Sequence, residues 1–210
     1  MTQRRLPRLV GGRLCLDFAN TANWRGQTVV EEKLASPADV VAWASHAGLG
    51  QIAPGPGDAG GDLATLRALR ADLRRLFVAA ARGAPAPRAP LGRLNRLLAA
   101  RGARLRLALA AGRLRHGATR GLMDAVGLPV AVSALDLLTS ADLDRVKLCP
   151  AADCEWLFLD DSRNGTRRWC SMAECGNRAK VRLHYERSRG GPSGSVPRRH
   201  LRRGRDESPA

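Results

Sequence analysis

The sequence predicts an α+β protein in which a mixed domain of helices and strands is followed by a small cysteine-rich module. Three observations support this prediction. Residues 63–82 repeat leucine at helical spacing, residues 10–18 and 104–115 alternate apolar with polar side chains, and four of the five cysteines fall within one 27-residue stretch. The first pattern is typical of a helix and the second of strands. The clustered cysteines indicate a separate module.

The first elements are predicted from local patterns near the N-terminus. In residues 10–18, three apolar side chains fall on one side of an extended chain, which predicts a strand. Residues 19–26 contain asparagine, threonine and one tryptophan, and we interpret them as a polar turn. A helix is predicted to begin with Ser36 as its N-cap and Pro37 at its first helical position, and to end at Gly48.

Three helices and one hairpin complete the predicted first domain, residues 1–142. The helix at 63–82 has the most regular apolar repeat in the chain. A shorter helix is predicted at 91–100, and the alternation at 104–115 predicts a hairpin. A final helix is expected to start at Pro129 and to pack its valines and leucines inward.

The clustered cysteines form two C-x4-C pairs separated by fifteen residues. Zn²⁺ prefers four thiolate ligands in tetrahedral geometry, and two short-spaced pairs can supply them at a small cost in chain closure. Because the x4 gaps are wider than the common C-x2-C, two disulfides or four ordinary thiols stay open as alternatives on spacing alone. We favour one structural Zn²⁺ held by Cys149, Cys154, Cys170 and Cys175.

The segments around these cysteines predict a treble-clef zinc finger at residues 143–189. Cys149 and Cys154 would form a tight turn whose backbone N–H groups face sulfur. Strands are predicted at 155–160 and 166–170, followed by a helix at 176–189. A thiolate at the start of a helix is favoured by the helix dipole.

Basic residues are concentrated in this module and beyond it. The chain carries a net charge of +16, and residues 162–205 hold thirteen basic against two acidic side chains. Such a density favours a polyanion-binding surface, although a solvated surface produced by codon bias is the alternative. Residues 190–210 are expected to be a disordered basic tail.

The last predicted helix is the candidate DNA-contacting element. A basic helix of this kind can lie in the major groove of DNA. A four-thiolate zinc site is itself negative, and Arg178 is the first candidate to neutralise it. Val181 and Tyr185 are predicted to pack against Trp156 or Trp169. The predicted DNA-contacting residues are Arg178, Lys180, Arg182, Arg187 and Arg189.

Two strings of the sequence carry a resemblance to known families. The C-G-N-R string at 175–178, preceded by W-C-S-M-A-E, resembles the CGNR zinc-finger family of bacteria. The string G-G-R-L-C-L-D-F-A-N-T at 11–21 resembles the opening of the ABATE domain that precedes this finger. The resemblance implies a stress-induced transcriptional regulator, with an α+β domain that binds an unknown ligand and a treble-clef finger that binds DNA. It places the zinc ligands on the same four cysteines.

A polar group follows the first predicted strand and is the candidate ligand-binding site: Asp17, Asn20, Thr21 and Trp24. Loops on a rigid scaffold often hold binding groups. These residue types are also common in turns, so we favour a structural role for them. Cys15 is expected to be a buried apolar residue.

Composition and motifs also limit the classes of function. No run of eighteen apolar residues is present, and the N-terminus has no apolar signal segment, so we expect a cytoplasmic protein with reduced cysteines. No hydrolase or nucleotide-binding motif is present, and the histidines needed for a nuclease-type finger are missing, so we predict a non-enzyme. The alternative to a DNA-binding regulator is a zinc module that binds RNA or protein. The oligomeric state is left open.

Overall fold

The computed structural model describes residues 6–50, 52, 61–102, 107–110, 113–116 and 121–189. Along these residues, helices alternate with three antiparallel strand pairs, which confirms the α+β class. The elements in chain order are α1 (Leu14–Ala19), β1 (Ala22–Arg25), β2 (Thr28–Glu32), α2 (Pro37–His46), α3 (Gly61–Ala81), α4 (Arg88–Arg101), β3 (Leu107–Ala110), β4 (Arg113–His116), α5 (Leu128–Thr139), β5 (Val146–Leu148), β6 (Leu157–Leu159) and α6 (Asn177–Arg189). The predicted tail at 190–210 lies outside the described residues.

The predicted strand at 10–18 is wrong, because its second half forms the helix α1. The N–H groups of Leu16 and Asp17 both donate to the carbonyl of Arg13, which closes the first turn. Residues 15–19 are all buried. The alternation of apolar and polar residues therefore does not separate a buried from an exposed face here, and it does not indicate a strand.

The predicted polar turn at 19–26 is also wrong in part. Residues Ala22–Arg25 form β1, which pairs with β2 in a hairpin. The turn itself is limited to the residues around Gly26, whose φ of +60° lies in the left-handed region that favours glycine. Strand β2 was not predicted, because most of its residues are exposed and no apolar alternation marks it.

The remaining predicted elements of the first domain are confirmed. Ser36 caps α2 and forms a capping box with Asp39, each side chain accepting the other's backbone N–H. Helices α3, α4 and α5 and the hairpin β3–β4 occupy the predicted segments within a few residues. Among the described residues, no helix is both long and apolar enough to cross a membrane.

The hairpin β5–β6 packs into the core of the first domain. Val146, Leu157 and Leu159 are buried in the same apolar cluster as Leu73 of α3 and Phe18 of α1. The two strands pair antiparallel, and residues 149–156 connect them. One half of the cysteine-rich module is therefore built on the buried core of the residues that precede it.

Candidate metal centre

The first cysteine pair lies in the turn between β5 and β6. Cys149 directly follows β5, and its N–H donates to the carbonyl of Trp156 at 2.8 Å. The N–H of Cys154 donates to the carbonyl of Ala151 at 3.0 Å, which tightens the turn. The backbone of Ala151 helps to lower the pKa of Cys149, and that of Trp156 acts in the same direction on Cys154. The predicted tight turn is confirmed, and the direction of its N–H groups toward sulfur stays a prediction.

The second pair lies in a segment with little regular structure. Cys170 ends an irregular loop, and Cys175 lies in the wide turn Met172–Gly176 that leads into α6. The strand predicted at 166–170 is absent from this described segment. The carbonyl groups of this segment accept hydrogen bonds from side chains and not from a neighbouring strand. Lys147 Nζ donates to the carbonyls of Gly165 and Arg167, and the Arg167 guanidinium donates to that of Cys170.

The sulfur atoms of the four cysteines converge on one point. All four lie within 4.8 Å of one another and all four residues are buried. The Cys154–Cys170 and Cys170–Cys175 sulfur pairs are 3.5 Å and 3.6 Å apart. Four sulfurs at tetrahedral Zn–S bonds of about 2.3 Å lie about 3.8 Å apart. The cysteines carry no disulfides. The arrangement therefore fits one Zn²⁺ ion with four thiolate ligands.

The charges around the cluster favour a cation at its centre. Hydrogen bonds from the thiols of Cys154 and Cys170 hold the pKa of Cys149 far below its usual range. Hydrogen bonds with Cys149 and Cys154, together with burial, raise the pKa of Cys170 well above its usual range, and a bound cation would offset this effect. Four thiolates and Zn²⁺ leave a charge of about −2. Arg178 Nη2 lies 3.3 Å from the sulfur of Cys175 and is placed to offset it.

The comparisons with known families agree with this geometry. Residues 12–141 match the ABATE family model, which is described as "Putative stress-induced transcription regulator". Residues 145–188 match the model of the CGNR zinc finger. The chain belongs to the ABATE family and carries a CGNR zinc finger. No curated protein matches the chain. The four cysteines of this ABATE protein are positioned to bind a single structural zinc ion.

The treble-clef layout stays a prediction for the CGNR finger. Its helix begins next to the last cysteine as predicted, but its hairpin is β5–β6, with the first cysteine pair at the tip. The resemblance to the family and the cysteine spacing identified the metal ligands. The way in which the finger is attached to the ABATE residues was not predicted.

The four predicted ligand-binding residues lie together, and their polar atoms have partners inside the protein. Asn20 bonds both the N–H and the carbonyl of Leu157, at 2.9 Å and 2.8 Å. Thr21 Oγ1 donates to the carbonyl of Phe18, and Trp24 Nε1 to that of Ala19. Asp17 Oδ1 accepts the N–H of Gly11 at 2.7 Å. Their structural contacts are observed, whereas ligand binding by these residues stays a prediction.

The carboxyl of Asp17 has a raised pKa, and this gives a prediction about stability. Burial raises the pKa of its carboxyl to about 6, against 3.8 for a free aspartate, and the charges of His46 and Arg167 offset only part of this effect. The charged form is therefore disfavoured in the folded state. We expect Asp17→Asn, which keeps the acceptor for Gly11, to raise the free energy of unfolding at pH 7 by up to about 3 kcal/mol.

The sign of the pH dependence follows from the raised pKa. Between about pH 4 and pH 6, Asp17 ionises in the unfolded state but stays largely protonated in the folded state, so the wild-type protein loses stability as the pH rises. The asparagine variant has no charge to bury at this position. Chemical unfolding of both proteins at pH 5 and pH 7.5 measures the difference. A gain from asparagine that is equal at both pH values would contradict the raised pKa.

Sequence reasoning missed three arginines, and two of them, Arg74 and Arg167, connect the finger to the ABATE residues. Arg167 donates to the carbonyls of Val10 and Leu159 as well as to that of Cys170. Arg70 and Arg74 of α3 are buried, although an arginine in a helix is normally expected at the surface. Their burial could have been predicted from their position in α3, because both lie on the same helical face as Leu66 and Phe77.

The predicted DNA-contacting residues all lie on α6. Residues 177–188 are exposed apart from Ala179, so Lys180, Arg182 and Arg187 face solvent. Arg178 pairs with Asp153 at 3.3 Å besides its contact with Cys175. The backbone of Arg189 ends α6, and its side chain lies outside the described part of the chain. Val181 and Tyr185 are 53% and 64% exposed, so their predicted packing against a tryptophan is wrong.

Proposed function

We propose that this ABATE–CGNR protein is a DNA-binding transcription regulator and that α6 is its DNA-contacting element. The observation that carries the proposal is a 13-residue basic helix that begins two residues after a zinc ligand and whose described side chains are exposed apart from Ala179. A helix fixed at one end can enter a groove without losing much conformational entropy on binding. The family is one of transcription regulators, and this role fits a non-enzyme.

The charge of α6 supports contact with phosphate. Lys180, Arg182 and Arg187 are exposed and have no ion pair among the described residues, so their charges are available to a polyanion. Arg178 is different, because it lies against Cys175 and Asp153. We therefore propose Arg178 as a support for the zinc centre that also lies at the edge of the DNA surface. Cytoplasmic location and ligand response stay predictions.

The alternative function is a zinc module that binds RNA or protein. It is favoured by the apolar side chains of Val181, Leu183 and Tyr185, which are about half exposed or more on the same helix. Exposed aromatic and apolar groups are typical of surfaces that stack single-stranded bases or hold a protein partner. Binding to duplex DNA, single-stranded DNA and structured RNA at two salt concentrations distinguishes the two functions. Selective retention of duplex fragments at the higher salt concentration supports a DNA regulator.

Neutralising α6 is expected to weaken binding to DNA. In the triple variant Lys180→Gln, Arg182→Gln, Arg187→Gln, the slope of log K against log salt concentration should fall by about 3, one for each lost phosphate contact. The matched control is Arg96→Gln, which removes an exposed arginine from α4. Equal salt slopes in the triple variant and the control would show that α6 does not contact the DNA. Fluorescence anisotropy with a labelled duplex measures both.

A further inference from the structure

Glu155 has an unusual backbone conformation next to the zinc centre. Its φ is +53°, and it is the one residue other than glycine with a positive φ among those the structure describes. L-amino acids rarely adopt this left-handed region, because the Cβ atom approaches the carbonyl oxygen. Glu155 directly follows the zinc ligand Cys154. At the next residue, the carbonyl of Trp156 accepts the N–H of the first zinc ligand, Cys149, at 2.8 Å.

A single buried side chain of the ABATE residues holds Glu155 in this conformation. Arg74 of α3 is 1% exposed; its Nη1 donates to the Glu155 carbonyl at 2.9 Å, and its Nη2 lies 3.0 Å from the Glu155 carboxylate. The same guanidinium donates to the carbonyl of Gly26, whose N–H in turn donates to the Glu155 carboxylate at 2.9 Å. The ring of Trp24 lies 4.8 Å from the Arg74 guanidinium carbon and covers it.

These contacts hold both the main chain and the side chain of Glu155, because its carbonyl and its carboxylate each accept a hydrogen bond from Arg74. A charge-assisted pair of hydrogen bonds in a buried setting is strong enough to hold an unfavourable backbone conformation. The neighbouring residues are held in a similar way, since Trp156 Nε1 donates to Asn23 and Leu157 is bonded by Asn20. The position of Cys154 therefore depends on residues far away in the sequence.

We infer that Arg74 is a positioning residue for the zinc centre. By holding Glu155 in the left-handed conformation, it orients Cys154 on one side and, on the other, the Trp156 carbonyl that bonds the N–H of Cys149. The ABATE residues thus contribute to the zinc affinity of the finger. This inference rests on the metal site and is independent of what α6 binds.

The test measures zinc affinity of the full chain by competition with a chromophoric chelator. Arg74→Gln should weaken zinc binding by about 10- to 100-fold, the range typical of residues that support metal ligands. The control is Arg70→Gln, which removes another buried arginine of α3 near Trp24 that pairs with Glu32 and not with the finger. This control is expected to lower the unfolding temperature and to leave zinc affinity unchanged.

A rescue variant separates positioning from general stability. Glycine adopts positive φ without strain, so adding Glu155→Gly to Arg74→Gln should restore most of the zinc affinity. A role of Arg74 in core stability alone would give no such rescue. Equal losses in the Arg70 and Arg74 variants, or no recovery in the double variant, would overturn the inference.

A second pair of variants decides the question even if Arg74→Gln does not fold. Glu155→Ala and Glu155→Gly both remove the carboxylate, and both leave the Arg74 contact with the main-chain carbonyl possible. They differ in the Cβ atom, which resists the left-handed conformation. Zinc binding should be weaker in the alanine variant than in the glycine variant. Equal affinities would show that the conformation of Glu155 does not set the zinc site.

Discussion

Replacing Cys170 with serine is expected to abolish zinc binding and to unfold the segment that carries the second cysteine pair. Between 161 and 189 the residues buried in the described structure are Cys170, Cys175 and Gly176, so apolar burial contributes little there. Binding of structural zinc supplies about 10 kcal/mol or more in fingers of this kind. Without the fourth thiolate, that free energy is lost and α6 loses its fixed start.

The hairpin β5–β6 is expected to survive this substitution. Its strands are buried in the ABATE core, and the N–H of Leu159 donates to the carbonyl of Gly11 at 2.8 Å. Hydrogen exchange should therefore show fast exchange at Gly176, whose N–H bonds the Ser171 carbonyl, and continued protection at Leu159. We therefore expect one half of the finger to fold with the ABATE residues and the other half to fold on zinc.

The fifth cysteine supplies the control. Cys15 is fully buried in α1, as the sequence predicted, and burial raises the pKa of its thiol to about 12. Cys15→Ser should keep one zinc per chain, whereas Cys170→Ser should keep none, as measured by metal analysis of the purified proteins. Protected exchange at Gly176 in Cys170→Ser would show that zinc is not what folds this segment.

The parts of the molecule that were predicted correctly depend on short-range patterns. The four cysteines are within 27 residues, and the spacing that holds a metal is local. The capping box of α2 involves residues three apart, and the leucine repeat of α3 is continuous. Such signals do not require knowledge of distant contacts.

The incorrect predictions have a shared physical cause. In α1 the chain is buried on all sides, so polarity no longer reports which face is inside. In α3, Arg70 and Arg74 occupy inward positions because Glu32 and Glu155 come from other parts of the chain to pair with them. The carbonyls at 165–170 are satisfied by side chains and not by a strand. The arginine pairs of α3 and the Lys147 contacts at 165–167 depend on partners that are remote in sequence.

Asn20→Ala is expected to have the largest effect among substitutions outside the metal ligands. Asn20 is fully buried and its side-chain amide bonds both main-chain groups of Leu157 in β6. Alanine would leave a buried N–H and a buried carbonyl without partners, at about 1–3 kcal/mol each. We expect the free energy of unfolding to fall by about 2–5 kcal/mol, as measured by urea denaturation of the zinc-bound protein.

Asn23→Ala is the matched control, because Asn23 also bonds the finger through Trp156 Nε1 but is only partly buried. Water can replace that contact, so the loss should be about 1 kcal/mol. A large difference between the two asparagines indicates that Asn20 joins α1 to β6 as part of one core. Equal small losses would mean that β6 can separate from the ABATE residues at little cost, and the zinc centre would then be an independent module.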